Sequence, residues 1–151
     1  MKCLLLHQSD PRYDDLLSEH DIEITNQPVL QTTILDLEPR ADLSVHQHQG
    51  IVVSSKHGAR YITNNSIDVA GKAIAVVGPN TAKIVGKYAE KFDDVTLVWA
   101  DDATLLCELI LSSFPRHFSW IFYCGDKALD IIPRTLSQSN VKLKQLVVYK
   151  V

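Results

Sequence analysis

The feature that most constrains this sequence is a repeated event: a short continuous apolar run, a turn of small and polar residues, then a stretch of helical period. Ile51-Val52-Val53 leads through Ser54-Ser55 into a helix predicted from Lys56 to about Asn64. Ala73–Val77 leads through Gly78-Pro79-Asn80-Thr81 into a helix reaching about Lys91. Val95–Trp99 leads through Asp101-Asp102 into a helix through Leu111, and Trp120–Cys124 through Gly125-Asp126 into one reaching about Gln138. Val141–Val151 closes the series with the apolar Leu146-Val147-Val148. Runs with no polar alternation, spaced by helical segments, are strands covered on both faces, and such strands assemble in parallel.

The prediction from Ile51 onward is therefore an α/β unit, a five-stranded doubly wound parallel sheet of flavodoxin-like type with helices on both faces. The chain before it reads differently. Cys3–His7 is followed by Ser9-Asp10-Pro11, where Asp10 fits an N-cap and Pro11 the first position of an amphipathic helix over Arg12–His20. Runs at Ile22–Thr25 and Val29–Leu35 follow, making a β-α-β-β piece too small to bury its own faces. Asp36–Gln49 lacks a clean period and carries Pro39, as a linker does. The expected division is an incomplete N-terminal domain over 1–35, a hinge over 36–50, an inserted α/β domain over 51–148 and the start of a return linker at 149–151.

Composition removes several classes of function. The 151 residues can bury one good core, and 46% hydrophobic with 22% charged residues is globular rather than disordered. A formal charge of −3 gives no global field for nucleic acid or an anionic membrane. No stretch approaches the roughly 20 apolar residues of a membrane span, and the apolar run at the start is too short for a signal peptide. Cys3, Cys107 and Cys124 are odd in number, widely spaced and set in apolar runs, which suits core packing in a reducing compartment. The expected location is cytoplasmic.

In an open parallel sheet, ligands bind at the carboxyl ends of the strands. Three loops there are rich in small and polar residues: Ser54-Ser55, Gly78–Thr81 and Gly125-Asp126. Each is read as opening a helix, whose free N–H groups and dipole would hold an anion. The same residues also serve as caps and turns in any α/β protein. The dinucleotide GxGxxG, the P-loop and the GxSxG elbow are all absent, and no acidic cluster ends the first strand. His46 and His48 stand two apart without a third metal ligand, so no metal is expected. His57 is read as a solvated helix-start histidine or as an acid or base beside the cleft. Asp101-Asp102 caps a helix, and Tyr149 is read as buried with a hydroxyl needing a partner.

Taken in order, four segments resemble the uroporphyrinogen-III synthases. These are Ile51-Val52-Val53-Ser54-Ser55-Lys56-His57-Gly58-Ala59, Ala75-Val76-Val77-Gly78-Pro79-Asn80-Thr81-Ala82, Ile121-Phe122-Tyr123-Cys124-Gly125-Asp126-Lys127-Ala128 and Val147-Val148-Tyr149-Lys150-Val151. Gly-Pro-x-Thr-Ala is the most specific of them. The resemblance implies two α/β domains, the second inserted into the first, with the substrate in the cleft between them. It also implies further chain after Val151 to complete domain one. Without that chain, residues 1–151 are expected to be poorly active and to self-associate through 1–35.

The implied reaction is cyclisation of hydroxymethylbilane, a linear tetrapyrrole, to uroporphyrinogen III with inversion of ring D and loss of water, using no cofactor and no metal. By resemblance Ser54, Ser55, Gly78, Thr81 and Gly125 surround the substrate carboxylates, and Tyr149 assists departure of the hydroxyl. Two family arginines are replaced: the opening strand leads into His7-Gln8-Ser9-Asp10-Pro11 rather than Thr-Arg-Pro, and Cys124 precedes the Gly-Asp pair. The alternatives are a non-catalytic module binding a tetrapyrrole, another anion or a partner protein, and an unrelated flavodoxin-like domain.

Overall fold

A computed structural model describes residues 2–6, 11–20, 22–27, 30–36 and 45–151. The Asp10 cap, His7, Val29 and Pro39 lie outside these residues. The chain divides into two compact units, 1–33 with Val151, and 34–150.

The first unit is a single β-α-β turn of chain. Strand β1 (Lys2–Leu5) and strand β2 (Glu23–Asn26) pair in parallel, from Lys2 opposite Glu23 to Leu5 opposite Asn26. Helix α1 (Pro11–Ser18) connects them and begins on proline, whose missing N–H costs nothing at a first helical position. The Lys2–Glu23 ion pair, 3.4 Å long and exposed, contributes little to stability.

The second unit, with Thr33 at the start of its edge strand, forms a six-stranded sheet. Its strands are β3 (Thr33–Ile34), β4 (Gly50–Val53), β5 (Ala73–Val77), β6 (Thr96–Ala100), β7 (Ser119–Gly125) and β8 (Lys142–Lys150). The helices are α2 (Lys56–Asn64), α3 (Pro79–Ala89), α4 (Ala103–Ser113) and α5 (Ile131–Gln138). Strand order is β3-β8-β7-β4-β5-β6, and β4 to β8 pair wholly in parallel. This is a doubly wound α/β architecture, flavodoxin-like in its layers, whose parallel strands counted from β4 run in the order 3-2-1-4-5.

Alternate residues of each strand supply two cores. Ile51, Val53, Ile74, Val76, Ile121 and Tyr123 face α2 and α3, while Val52, Ala75, Trp120 and Phe122 face α4 and α5. Full burial of such side chains contributes on the order of 1.5–3 kcal/mol each. The helices change face because the chain first winds outward from β4 to β6, then crosses back to β7 and β8. Loops after β4 and β7 consequently diverge to opposite faces, opening a crevice between two adjacent strand ends.

Four details depart from the sequence reading. Among the described residues of the third run only Thr33–Ile34 form strand, beside Val148, where Leu35 N–H donates to Val148 C=O at 2.8 Å. That strand extends the expected five-stranded sheet to six. The end of the expected hinge belongs to the core: Val45 and His48 are buried and Gly50 starts β4. At the other end Tyr149, expected to open a return linker, is a buried residue of β8.

His48 illustrates what that packing costs. Its Nδ1 lies 2.8 Å from Ser119 Oγ, its C=O accepts from Lys72 Nζ at 2.7 Å, and its Nε2 has no partner among the described residues. Burial first, then the charges of Lys72 and Lys144, push its pKa below the ordinary 6.5. The fold thus favours neutral imidazole, while the unfolded chain protonates normally. This contribution to stability is complete above the unfolded pKa and is lost as pH falls toward the lower folded value. Thermal melts at about pH 7.5 and about pH 5.5 should show the wild type losing more stability than His48→Gln across that interval. Equal losses would place the acid sensitivity elsewhere.

Candidate functional site

The crevice between β4 and β7 is filled from one side by a tyrosine that regular strand geometry would have turned away. Along β8, Leu146 packs against the α2–α3 core, Val147 points to the other face and is 37% exposed, and Val148 returns to that core. Strict alternation would send Tyr149 to Val147's face. The register instead jumps from Cys124 opposite Val147 to Gly125 opposite Tyr149, so one extra residue is inserted in β8. Such a bulge re-aims the following side chain. Tyr149 joins Val148 in the α2–α3 layer and is 8% exposed, which leaves a small opening to solvent.

Two glycines make room for this arrangement. A Cβ on Gly125 would lie 2.5 Å from the Tyr149 ring, so the ring occupies the space that any other residue there would fill. A Cβ on Gly58 would lie 2.9 Å from the Tyr123 carbonyl oxygen, so glycine lets the first turn of α2 settle onto β7. That settling carries Ser55 and His57 to Tyr149. Ser55 Oγ donates to Tyr149 Oη at 2.9 Å and, as N-cap of α2, accepts from Gly58 N–H at 3.3 Å. The His57 and Tyr149 rings lie 5.1 Å apart, tilted by 48°.

The first turn of α2 has no acidic residue but carries Lys56, His57 and, one turn on, Arg60. Cations at a helix N-terminus oppose the macrodipole, a cost of roughly 0.3–1 kcal/mol each. Burial lowers the pKa of His57, and Lys56 and Arg60 lower it further. Neutral imidazole therefore lies against Tyr149 at neutral pH. The solvated reading of His57 is corrected by this contact, which no sequence spacing foretells because it depends on β8 register.

The sequence candidates separate into two groups. Ser55, Gly125 and Tyr149 come together, with half-buried Ser54 adjoining them at the end of β4. Gly78 and Thr81 lie at the neighbouring strand end, with no described bond to Tyr149. Gly78 has φ +88°, a conformation natural to glycine, and its N–H donates to Ala100 C=O at 2.8 Å. Thr81 lies on the packed face of α3 with Ala82 and Val85.

Gly125 does not open a helix as expected. Asp126 N–H donates to Tyr149 C=O at 3.1 Å and Ala128 N–H to Gly125 C=O at 3.2 Å, so the chain turns, and α5 starts only at Ile131. Cys124 lies in the α4–α5 core, on the opposite sheet face from Tyr149, with its thiol 3.6 Å from the Leu146 carbonyl oxygen. Burial pushes that thiol up to about 11, which makes it a packing group. Among the described residues no group of three or more His, Cys, Asp or Glu could hold a metal ion, and no helix is long and apolar enough to cross a membrane.

A family model described as uroporphyrinogen-III synthase HemD matches residues 11–151. Among solved structures, Thermus thermophilus uroporphyrinogen III synthase is similar with a TM-score of 0.49 and 15% sequence identity. The match covers 99% of this chain and 62% of that one, so the chain spans less than two thirds of its structural relative. No curated protein matches the sequence.

Two outcomes are expected from this geometry. Gly125→Ala should displace the Tyr149 ring and destabilise the protein by about 1–3 kcal/mol, the usual cost of overpacking; denaturant melts with unchanged stability would refute the notch. In an NMR titration the His57 imidazole should protonate below 6.5, and changing Lys56 and Arg60 to Gln should move its midpoint upward. A midpoint indifferent to both changes would leave burial as its only cause.

Proposed function

The match over residues 11–151 makes the chain a member of the uroporphyrinogen-III synthase family, and on that premise we propose that it cyclises hydroxymethylbilane to uroporphyrinogen III, inverting ring D with loss of water. The observation that carries the proposal is Tyr149 itself, a buried phenol held by Ser55 at the crevice between diverging strand ends. The reaction asks for three things: help for the departing hydroxyl, a folded shape for an extended octacarboxylate, and exclusion of the spontaneous closure that gives isomer I. Orientation accounts for most of such a rate, so a fixed donor in a shaped cleft suits the task better than a strong acid.

Tyr149 supplies the donor. Lys56 and Arg60 on the adjoining helix turn offer positive charge to substrate carboxylates, and Ser54, Gly78 and Thr81 line the neighbouring strand ends. Three free cysteines support a cytoplasmic setting for this chemistry. Exposed Leu4, Leu6 and Leu16 support a role for the first unit in associating with a further apolar surface.

The test is the ratio of isomer III to isomer I formed from hydroxymethylbilane by the full chain as the cell makes it. An excess of III is expected, and Tyr149→Phe should lower the rate by about a hundredfold, the lower range for loss of a positioned proton donor. Isomer I alone, from protein that still quenches its tryptophan fluorescence with uroporphyrin, would make it a binding module instead.

A further inference from the structure

Resting on that reading of the site, we propose that Ser55 is a positioning residue: it turns the Tyr149 hydroxyl proton out toward the substrate rather than binding a substrate carboxylate itself. A serine hydroxyl has one hydrogen to give. Here Ser55 Oγ accepts from Gly58 N–H at 3.3 Å and gives its hydrogen to Tyr149 Oη at 2.9 Å. Nothing remains on it for donation to a carboxylate. Tyr149 Oη, already an acceptor, keeps its own hydrogen, and no acceptor for that hydrogen occurs among the described residues. The three groups form a one-way chain from the Gly58 amide through Ser55 to Tyr149, each bond polarising the next.

The chain has a chemical consequence. When the substrate C–O bond breaks, its electron pair leaves on oxygen. That oxygen takes the Tyr149 proton and departs as water. The phenolate left behind is held by the Ser55 hydroxyl, already aimed at it. Ring D then bonds the freed carbon through its substituted position, its bond to the neighbouring bridge carbon breaks, and its free position bonds that bridge carbon instead. The ring is thereby inverted, and the proton lost from the free position returns to Tyr149 Oη. The balance is one hydroxymethylbilane in, one cyclic product and one water out, with the tyrosine restored. The orientation is fixed before substrate arrives, because the bulge in β8 and the space left by Gly125 set the ring, and the N-cap geometry sets Ser55.

Ser55 also caps α2, so the experiment must separate the two roles. Ser55→Asp keeps an acceptor for the Gly58 amide but has no hydrogen to give Tyr149, and its carboxylate would draw the phenol hydrogen inward. Ser55→Thr keeps both functions. In the full chain, Ser55→Asp and Ser55→Ala should lose about tenfold to a hundredfold in kcat with KM changed less than about twofold, and Ser55→Thr should recover most of that loss. Ser55→Asp with wild-type kcat would overturn the proposal and leave only the cap.

A second readout needs no turnover. The Raman tyrosine doublet of Tyr149, isolated by subtracting Tyr149→Phe, should carry the intensity ratio of a hydrogen-bond acceptor in the wild type and of a donor in Ser55→Asp. A donor ratio in the wild type would overturn the proposal. If the wild type makes no isomer III, the functional reading fails, while the Raman comparison still decides how Ser55 holds Tyr149.

Discussion

Parallel strands cannot be joined by tight hairpins, and their backbone edges and faces must all be covered by the chain's own crossovers. Every part of the second unit follows from meeting that requirement. Ile51, Val52 and Val53 of β4 are fully buried because helices lie above and below them and strands on either side. The chain meets the requirement by winding outward over α2 and α3, then back over α4 and α5. The reversal leaves one place where neighbouring loops part. A crevice at that place is a by-product of covering the sheet, and the polar residues of the site have gathered there.

What distinguishes the crevice is a departure from regularity. One extra residue in β8 moves the Tyr149 side chain from one sheet face to the other, and the absence of a side chain at Gly125 lets it lie close against β7. The absence of a side chain at Gly58 brings α2 near enough for Ser55 to reach the phenol. Three local exceptions act on one hydroxyl group. A sheet selected only for stability would have no need of a bulge there, nor of a helix whose first residues are basic at its positive end.

In the fold Gly125 is the floor on which Tyr149 rests. Ser55 makes its two described hydrogen bonds within the protein, one with the Gly58 amide and one with the Tyr149 hydroxyl. Cys124 faces the opposite core, so its identity bears on packing of α4 and α5 rather than on the phenol.

The sequence by itself determined the class of fold, the order of strands and helices from Ile51 onward, and the identity of most residues at the strand ends. It could do so because continuous apolar runs, helical periods and caps are local properties, set by which faces a segment must bury. It also singled out Tyr149, through a short motif. The late start of α5, the strand at Thr33–Ile34 and the inclusion of Val45 and His48 in the core were decided by tertiary partners: the Tyr149 carbonyl, the Val148 carbonyl and Ser119. The joining of Ser55, His57 and Tyr149 was likewise beyond the sequence. Residues 94 positions apart meet there only because β4, β7 and β8 lie side by side, and because the jump in register at Cys124–Gly125 reverses the face on which Tyr149 falls. Periodicity states which residues of a strand share a face; it cannot state where a strand skips a residue, because that depends on the strand beside it.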